Sequence, residues 1–167
     1  MEKKFIIFII IVTILILGGG IFFVSGSASA PQITASSNAK VSVEQAMNFD
    51  WGNISYSGAK ATKTFTIKNT GKDTLKLFNI KTSCHCTKAY LTINGQESEK
   101  FGMAMGDTAS AYVGQVEPGK EATLTVLFDQ SFHGPSGMGP VTRYISVDTN
   151  DSQHPTLTFT LTGVVVQ

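Results

Sequence analysis

The sequence predicts an all-β domain, an antiparallel β-sandwich of about seven strands, preceded by one apolar N-terminal helix. Three observations predict this fold class. Helix signals are nearly absent after Lys40, polar and apolar residues alternate in several short stretches, and turn residues separate those stretches. Alternation with a period of two residues places one face of each strand in the core.

Five stretches carry the alternation most clearly. They are residues 64–67, 75–80, 122–128, 144–147 and 157–161. Turn residues bound them, such as Asn69-Thr70-Gly71 after the first and Glu117-Pro118-Gly119-Lys120 before the third. Glycine, proline and asparagine favour the backbone conformations of turns, so each stretch is predicted to be a separate short strand.

The N-terminal helix is predicted to be a transmembrane anchor over residues 1–24. Residues 5–24 carry no charge and would span about 30 Å as a helix, the thickness of a bilayer core. Lys3 and Lys4 precede this run, which predicts a cytoplasmic N-terminus and an extracytoplasmic domain in a single-pass protein of the cell membrane. A signal peptide cleaved near Ala30 is the alternative, because Ala28-Ser29-Ala30 resembles a cleavage site. That alternative predicts a secreted or periplasmic domain.

The rest of the chain divides into a linker and one domain. Residues 25–39 are rich in serine and alanine, which predicts a flexible linker. Residues 40–167 form the predicted sandwich, with an insertion at about 88–116 in which Asn94-Gly95 indicates a hairpin turn. Residues 131–140, rich in glycine and proline, predict a loop at one end of the sandwich.

The charge balance argues against a nucleic-acid partner. The chain has 13 basic and 12 acidic residues, and the two signs are equal in number once Glu2, Lys3 and Lys4 are set aside. Binding to phosphates requires clustered lysine and arginine. The sequence also lacks a nucleophile elbow, a phosphate-binding loop and paired carboxylates, so we expect that the protein is not an enzyme.

Several motifs occur together in one order: FDWGNISYSG, TFTIKNTGKDTLKL, TSCHCT, VEPGKEATLTVLFD and YISVDTND. In this combination, over residues 41–166, the sequence resembles a bacterial Ig-like family of unknown function, DUF1573. The family is similar to the Hydin-type and major-sperm-protein-like sandwiches, and its hallmark is Ser-Cys-Gly-Cys-Thr. The resemblance implies an exported Ig-like sandwich and no activity. This chain has His85 where the family has glycine, and a longer insertion after Thr87.

The two cysteines, Cys84 and Cys86, leave a disulfide and a metal site both open. On a strand, residues two apart point to the same face with Cα atoms about 6.5–7 Å apart. A disulfide prefers about 4.4–6.8 Å, so a bridge would require a local bend. Two thiolates would instead bind a soft metal such as Cu(I).

Other soft donors in the sequence would complete such a site. His85 lies between the cysteines, Met103 and Met105 lie in the insertion, and His133 and Met138 lie in the glycine-rich loop. Thiolate, thioether and imidazole together favour Cu(I) over zinc or calcium. These five residues, together with Cys84 and Cys86, are therefore the seven candidate metal ligands.

Three hypotheses of function follow. The first is a membrane-tethered module that binds Cu(I) through the Cys-His-Cys motif. The second is a structural or protein-interaction module of the cell envelope in which the cysteines stabilise the fold. The third is redox chemistry of the cysteine pair.

Overall fold

In a computed structural model, the described parts of the chain are residue 5 and residues 7–14, 33–103 and 110–167. They belong to two compact units, Met1–Gln32 and Ile33–Gln167. In the first unit, residues 7–14 are helical. The described residues contain no helix of sufficient length and apolarity to cross a membrane. Most of the predicted anchor (residues 1–4, 6 and 15–24) and the predicted cleavage site at Ala30 lie outside the described residues.

The second unit is a β-sandwich, as predicted, but it has ten strands in its described part where the sequence predicted about seven. The strands are β1 (Val41–Val43), β2 (Asn48–Ser55), β3 (Ala61–Asn69), β4 (Leu75–Thr82), β5 (Thr87–Ile93), β6 (Gln96–Glu97), β7 (Val113–Val116), β8 (Glu121–Phe128), β9 (Gly139–Thr149) and β10 (Thr156–Val166). One sheet has the order β1-β3-β8-β5-β6 and the other β2-β10-β9-β4-β7. Short edge strands account for the difference, because they carry too few alternating residues to be recognised.

The inward faces of the two sheets form the main core. Phe65 on β3 and Phe159 on β10 are fully buried, and their ring centroids lie 4.6 Å apart across the interface. The fully buried aliphatic residues around them include Ile67, Leu124, Val126, Ile145, Val147 and Leu161. These alternate along their strands, so the predicted period of two correctly identifies the core face.

One pairing departs from the antiparallel prediction. β1 pairs with β3 in the first sheet, the chain then crosses over, and β2 pairs in parallel with β10 in the second sheet. The register of β2 and β10 shifts between Thr162 and Val164, opposite Gly52, which has a φ of 65°. Gly52 therefore lies in a bulge that breaks the alternation of β2.

The predicted insertion contains the predicted hairpin. Asn94 and Gly95 have φ angles of 52° and 77°, as a tight two-residue turn requires, and they connect β5 to β6. The chain then returns along β5, where Ala89 and Phe101 exchange backbone hydrogen bonds of 3.0 and 2.7 Å. This segment covers the edge of the first sheet. Residues 104–109 lie outside the described part.

The compact unit begins before the predicted start of the domain at Lys40. Ser36 forms a parallel bridge with Asp151, and Ala39 is fully buried. The end of the predicted flexible linker, residues 33–39, therefore packs on the sandwich.

Candidate metal centre

Cys84-His85-Cys86 lies in the turn that carries the chain from β4 in one sheet to β5 in the other. The prediction of two cysteines on one strand is wrong in this respect. The turn brings their Cα atoms to 5.2 Å, and a disulfide joins them. The local bend that a bridge requires is thus the crossover between the sheets.

Thr82, only 5% exposed, holds this turn together. Its hydroxyl lies 3.0 Å from the carbonyl oxygens of both Cys84 and Thr87. The Thr87 N–H also donates to the Cys84 carbonyl at 3.1 Å. The Cys84 carbonyl and the Thr87 N–H are therefore satisfied within the turn.

The two sulfur-bearing residues differ in environment. Cys86 is 2% exposed and packs in a second apolar cluster at this end of the sandwich. That end cluster consists of Ile54, Cys86, Phe128, Val141 and Val165. Cys84 is only partly buried and packs against its margin. The Cys86 residue thus lies on the apolar side of the disulfide, and Cys84 lies on the side towards solvent.

His133 reaches Cys84 from the loop that follows β8. Its Nε2 lies 3.4 Å from the Cys84 Sγ, and the ligand atoms of Cys84, Cys86 and His133 all lie within 4.8 Å of one another. The imidazole is exposed, and its ring packs edge-on against Phe132 with centroids 5.0 Å apart. Three of the predicted ligands are therefore brought together.

Two residues at the start of this loop fix its position. The Asp129 N–H donates to the Cys86 carbonyl at 2.8 Å. The Asp129 carboxylate contacts Lys60 Nζ at 2.8 Å and accepts from Ser131; these contacts, led by Lys60, lower the pKa of Asp129. Gln130, 4% exposed, places its Nε2 within 2.9–3.0 Å of three carbonyl oxygens of the β2–β3 loop.

The remaining predicted ligands are distributed differently. His85 is half-buried between the cysteines but does not join the group formed by His133. Met138 lies in the same loop as His133 and is 41% exposed, while Met103 is 39% exposed in the insertion. Met105 lies outside the described residues.

A basic pocket of about 280 Å³ adjoins the disulfide. Its walls are Lys60, His85, Cys86, Lys88, Lys100, Leu127, Asp129 and Phe132. Lys60 is paired with Asp129, whereas the ammonium groups of Lys88 and Lys100 have no carboxylate within 4.0 Å among the described residues. Sequence reasoning missed this pocket because its lysines come from separate strands and loops.

Arg143 on β9 is a second cation that the sequence did not indicate. Its guanidinium carbon lies 4.9 Å from the centre of the Phe128 ring, and burial lowers the pKa of Arg143. Its Nε is buried without a hydrogen-bond partner among the described residues. The positive charge of Arg143 therefore lies against the end cluster, at the ring of Phe128.

Comparisons with known proteins agree with this architecture. Residues 41–102 match the model of a family described as "Protein of unknown function (DUF1573)", which confirms the predicted resemblance over that stretch. No curated protein matches the chain.

Among solved structures, a protein of unknown function from Porphyromonas gingivalis W83 is similar at 18% identity with a TM-score of 0.57. The match covers 81% of this chain and 50% of that one, so this chain spans about half the length of its structural relative. A family 123 glycoside hydrolase from Clostridium perfringens matches at 10% identity with a TM-score of 0.50, over 77% of this chain and 27% of that one. The ASH / PapD-like domain 7 of human CEP192 matches at 16% identity with a TM-score of 0.42, over 85% and 96% of the two chains. At these identities, the first two show a shared fold alone.

Proposed function

We propose that this DUF1573-family domain is an extracytoplasmic binding module that holds Cu(I) through Cys84, Cys86 and His133 once the disulfide is reduced. The observation that carries the proposal is the grouping of three soft or borderline donor atoms within 4.8 Å. In the disulfide state the two sulfur atoms are bonded to each other, so the site is available only in the dithiol state.

The donor set suits Cu(I) better than zinc. Two thiolates and one imidazole provide a three-coordinate site for a soft cation, whereas a structural zinc site takes four protein ligands. Phe128 and Val141 surround Cys86 with apolar atoms, which would limit access of water to the metal. His85 does not belong to this group. We assign no ligand role to Met103, Met105 or Met138, of which Met138 is the closest in sequence to His133.

A competition titration tests the proposal. The full chain, reduced with a phosphine and kept anaerobic, is titrated with Cu(I) against a chromophoric Cu(I) chelator. We expect one equivalent to bind, a Cys84→Ser/Cys86→Ser variant to lose binding, and His133→Gln to weaken it by roughly tenfold or more, equivalent to about 1.4 kcal/mol.

His85→Gln is the matched control, because it removes an imidazole next to both cysteines that lies outside the donor group. Equal affinity of the double cysteine variant and the wild type would overturn the proposal. An equal loss in His85→Gln and His133→Gln would show that the third ligand is wrongly assigned.

A structural or protein-interaction module of the cell envelope is the second candidate. The burial of Cys86 in the end cluster supports a stabilising role for the disulfide. A shallow depression on β2, β9 and β10, lined by Asn48, Phe49, Asp50, Tyr144, Thr160 and Thr162, supplies a surface for a partner. Crosslinking in intact cells that gives the same products from the wild type and a Tyr144→Ala variant would count against this surface.

The proposal places the domain outside the cytoplasm, tethered by the apolar segment of residues 5–24. An exported location agrees with the disulfide, because such bonds persist in oxidising compartments. Fractionation tests it. The full-length chain is expected in the membrane fraction with its C-terminal domain accessible to protease from the extracytoplasmic side, whereas a shorter chain in the soluble fraction would indicate cleavage near Ala30. We propose a binding role and not catalytic turnover.

A further inference from the structure

We propose that small thiols carrying an anionic group open the Cys84–Cys86 disulfide by attack on Cys84. In this reaction His133 accepts the proton of the thiol, and the basic pocket selects thiols by their charge. The reaction would produce the two thiolates that the proposed metal site uses. It does not require metal, so its failure and the failure of Cu(I) binding are distinguishable.

The burial of the two cysteines determines the direction of attack. Thiol–disulfide exchange requires the incoming thiolate to approach one sulfur while the other leaves. Cys86 is 2% exposed and is enclosed by the end cluster, whereas Cys84 is partly exposed. Cys84 Sγ is therefore the sulfur that an external thiol attacks, and Cys86 is the leaving group.

Neighbouring groups can receive the charge that develops during this step. The Cys86 Sγ lies 3.6 Å from the buried Thr87 hydroxyl, which can donate to a thiolate. His133 Nε2 lies 3.4 Å from the Cys84 Sγ, where a thiol approaching that sulfur would present its proton. A positioned imidazole accelerates such a transfer.

The basic pocket defines the class of thiol. Cys86 and Phe132 form part of its wall, so the pocket adjoins both the disulfide and the His133 loop. Asp129 neutralises Lys60, whereas Lys88 and Lys100 on the pocket rim have no carboxylate partner in the part of the chain that the structure describes. A Cβ at Gly102 would lie 2.5 Å from the Lys88 Nζ, so this glycine leaves room for the ammonium group. Thiols that carry a carboxylate or sulfonate would be attracted there.

The reaction balances in two steps. A thiol R–SH gives its proton to His133, its sulfur bonds to Cys84 Sγ, and the Cys84–Cys86 bond breaks to leave the Cys86 thiolate. A second thiol, from the same molecule or another, then attacks R–S and releases Cys84. One disulfide R–S–S–R forms, two electrons pass to the protein, and both of its cysteines end as thiols or thiolates. No oxidant is required, and turnover is not part of the proposal.

A charge series of small thiols tests the substrate class. The oxidised full chain, with a metal chelator present, is mixed with mercaptoethanesulfonate, mercaptoethanol or cysteamine at equal thiolate concentration, and samples are quenched by alkylation for mass measurement. We expect the anionic thiol to react fastest and the cationic one slowest. Lys88→Gln and Lys100→Gln should each lower the anionic rate about two- to threefold.

Lys72→Gln is the matched control, since Lys72 is an exposed lysine of the β3–β4 turn, at the other end of β4 from the disulfide. It should leave all three rates unchanged. Equal rates for the three thiols, or no reduction by any of them, would overturn the proposal.

Single-cysteine variants test the direction of attack without requiring the disulfide. The Cys84 thiol in Cys86→Ser should react with an anionic aromatic disulfide reagent at least roughly tenfold faster than the Cys86 thiol in Cys84→Ser, because burial limits access. His133→Gln should slow opening of the wild-type disulfide, whereas His154→Gln, in the turn between β9 and β10 and outside the pocket, should not. Equal reactivity of the two thiols, both measured in folded protein as judged by circular dichroism, would contradict attack at Cys84.

Discussion

His133 Nε2 lies 3.4 Å from Cys84 Sγ, although 49 residues separate them in the chain. The contact joins the crossover turn between β4 and β5 to the loop that follows β8. It is maintained by the pairing of β5 with β8, which places Thr87 opposite Phe128, and by the Asp129 N–H bond to the Cys86 carbonyl. The site therefore depends on the register of one pair of strands.

The disulfide is expected to contribute little to stability. It joins cysteines only two positions apart in the chain. For such a short loop, the loop-entropy relation gives a stabilisation of about 2 kcal/mol or less. The reduced domain should remain folded, as metal loading requires. Urea unfolding of oxidised and reduced protein checks this, and a reduced state without cooperative unfolding would contradict it.

The two cysteine-to-serine variants should differ in stability even though both remove the same disulfide. Cys86→Ser places a hydroxyl in the apolar end cluster, whereas Cys84→Ser places one at a partly exposed position. We expect Cys86→Ser to be less stable by about 1–2 kcal/mol, the cost of burying a poorly bonded hydroxyl. Equal midpoints and slopes in urea would show that Cys86 is not enclosed.

The sequence predicts much of the sandwich and little of the site. Strands β3, β8 and β10 alternate along their length, so local periodicity identifies them. The alternation does not identify β2, because Gly52 interrupts its pattern. It does not identify β7 either, because that strand has only four residues, Val113–Val116. The turn at Cys84 is a crossover between sheets, and the distance between Cys84 and His133 depends on long-range strand pairing. Neither feature can be predicted from the spacing of residues along the chain.

Gln130 should control the position of His133 without contacting it. Its side-chain amide donates to the β2–β3 loop, and Gln130→Ala would leave those carbonyls without that donor. We expect a loss of about 1–3 kcal/mol in unfolding free energy and weaker Cu(I) binding by the reduced protein. The number of reactive thiols in the reduced variant should remain two, because both cysteines are retained. Unchanged affinity would show that the loop is held by Asp129 alone.

Gly137 offers a more direct displacement of His133. A Cβ at this position would lie 2.9 Å from the His133 Cβ, which is closer than packed side chains tolerate. Gly137→Ala should therefore move the imidazole and weaken Cu(I) binding roughly tenfold, with unfolding free energy changed by less than about 0.5 kcal/mol because the loop is exposed. Nuclear magnetic resonance of the His133 ring in the wild type and the variant would check the displacement. An unshifted ring with normal affinity would contradict it.

Asp151 should make stability depend on pH at the opposite end of the sandwich. The residue is 2% exposed and accepts from the N–H groups of Val41 and Gln153 and from His154. Burial alone would raise the pKa of Asp151, but the hydrogen bonds from Val41, Gln153 and His154 lower it below its ordinary value. Because the folded pKa is depressed, the stabilisation is complete above the unfolded value of about 4 and is lost as pH falls through the folded pKa.

Asp151→Asn tests this linkage, since it preserves the shape of the side chain and removes its charge. The variant should be less stable than the wild type by about 1.5–3 kcal/mol near pH 7, the range for hydrogen bonds to a charged group. The difference should shrink as the pH falls below about 4, where the carboxylate becomes protonated in the unfolded wild type before it does so in the folded protein. Urea unfolding at a series of pH values measures it, and Asp129 cancels in the comparison because both proteins retain it. A difference that is constant from pH 7 to pH 3 would show that the variant is destabilised by the loss of an acceptor oxygen and not by the loss of the charge.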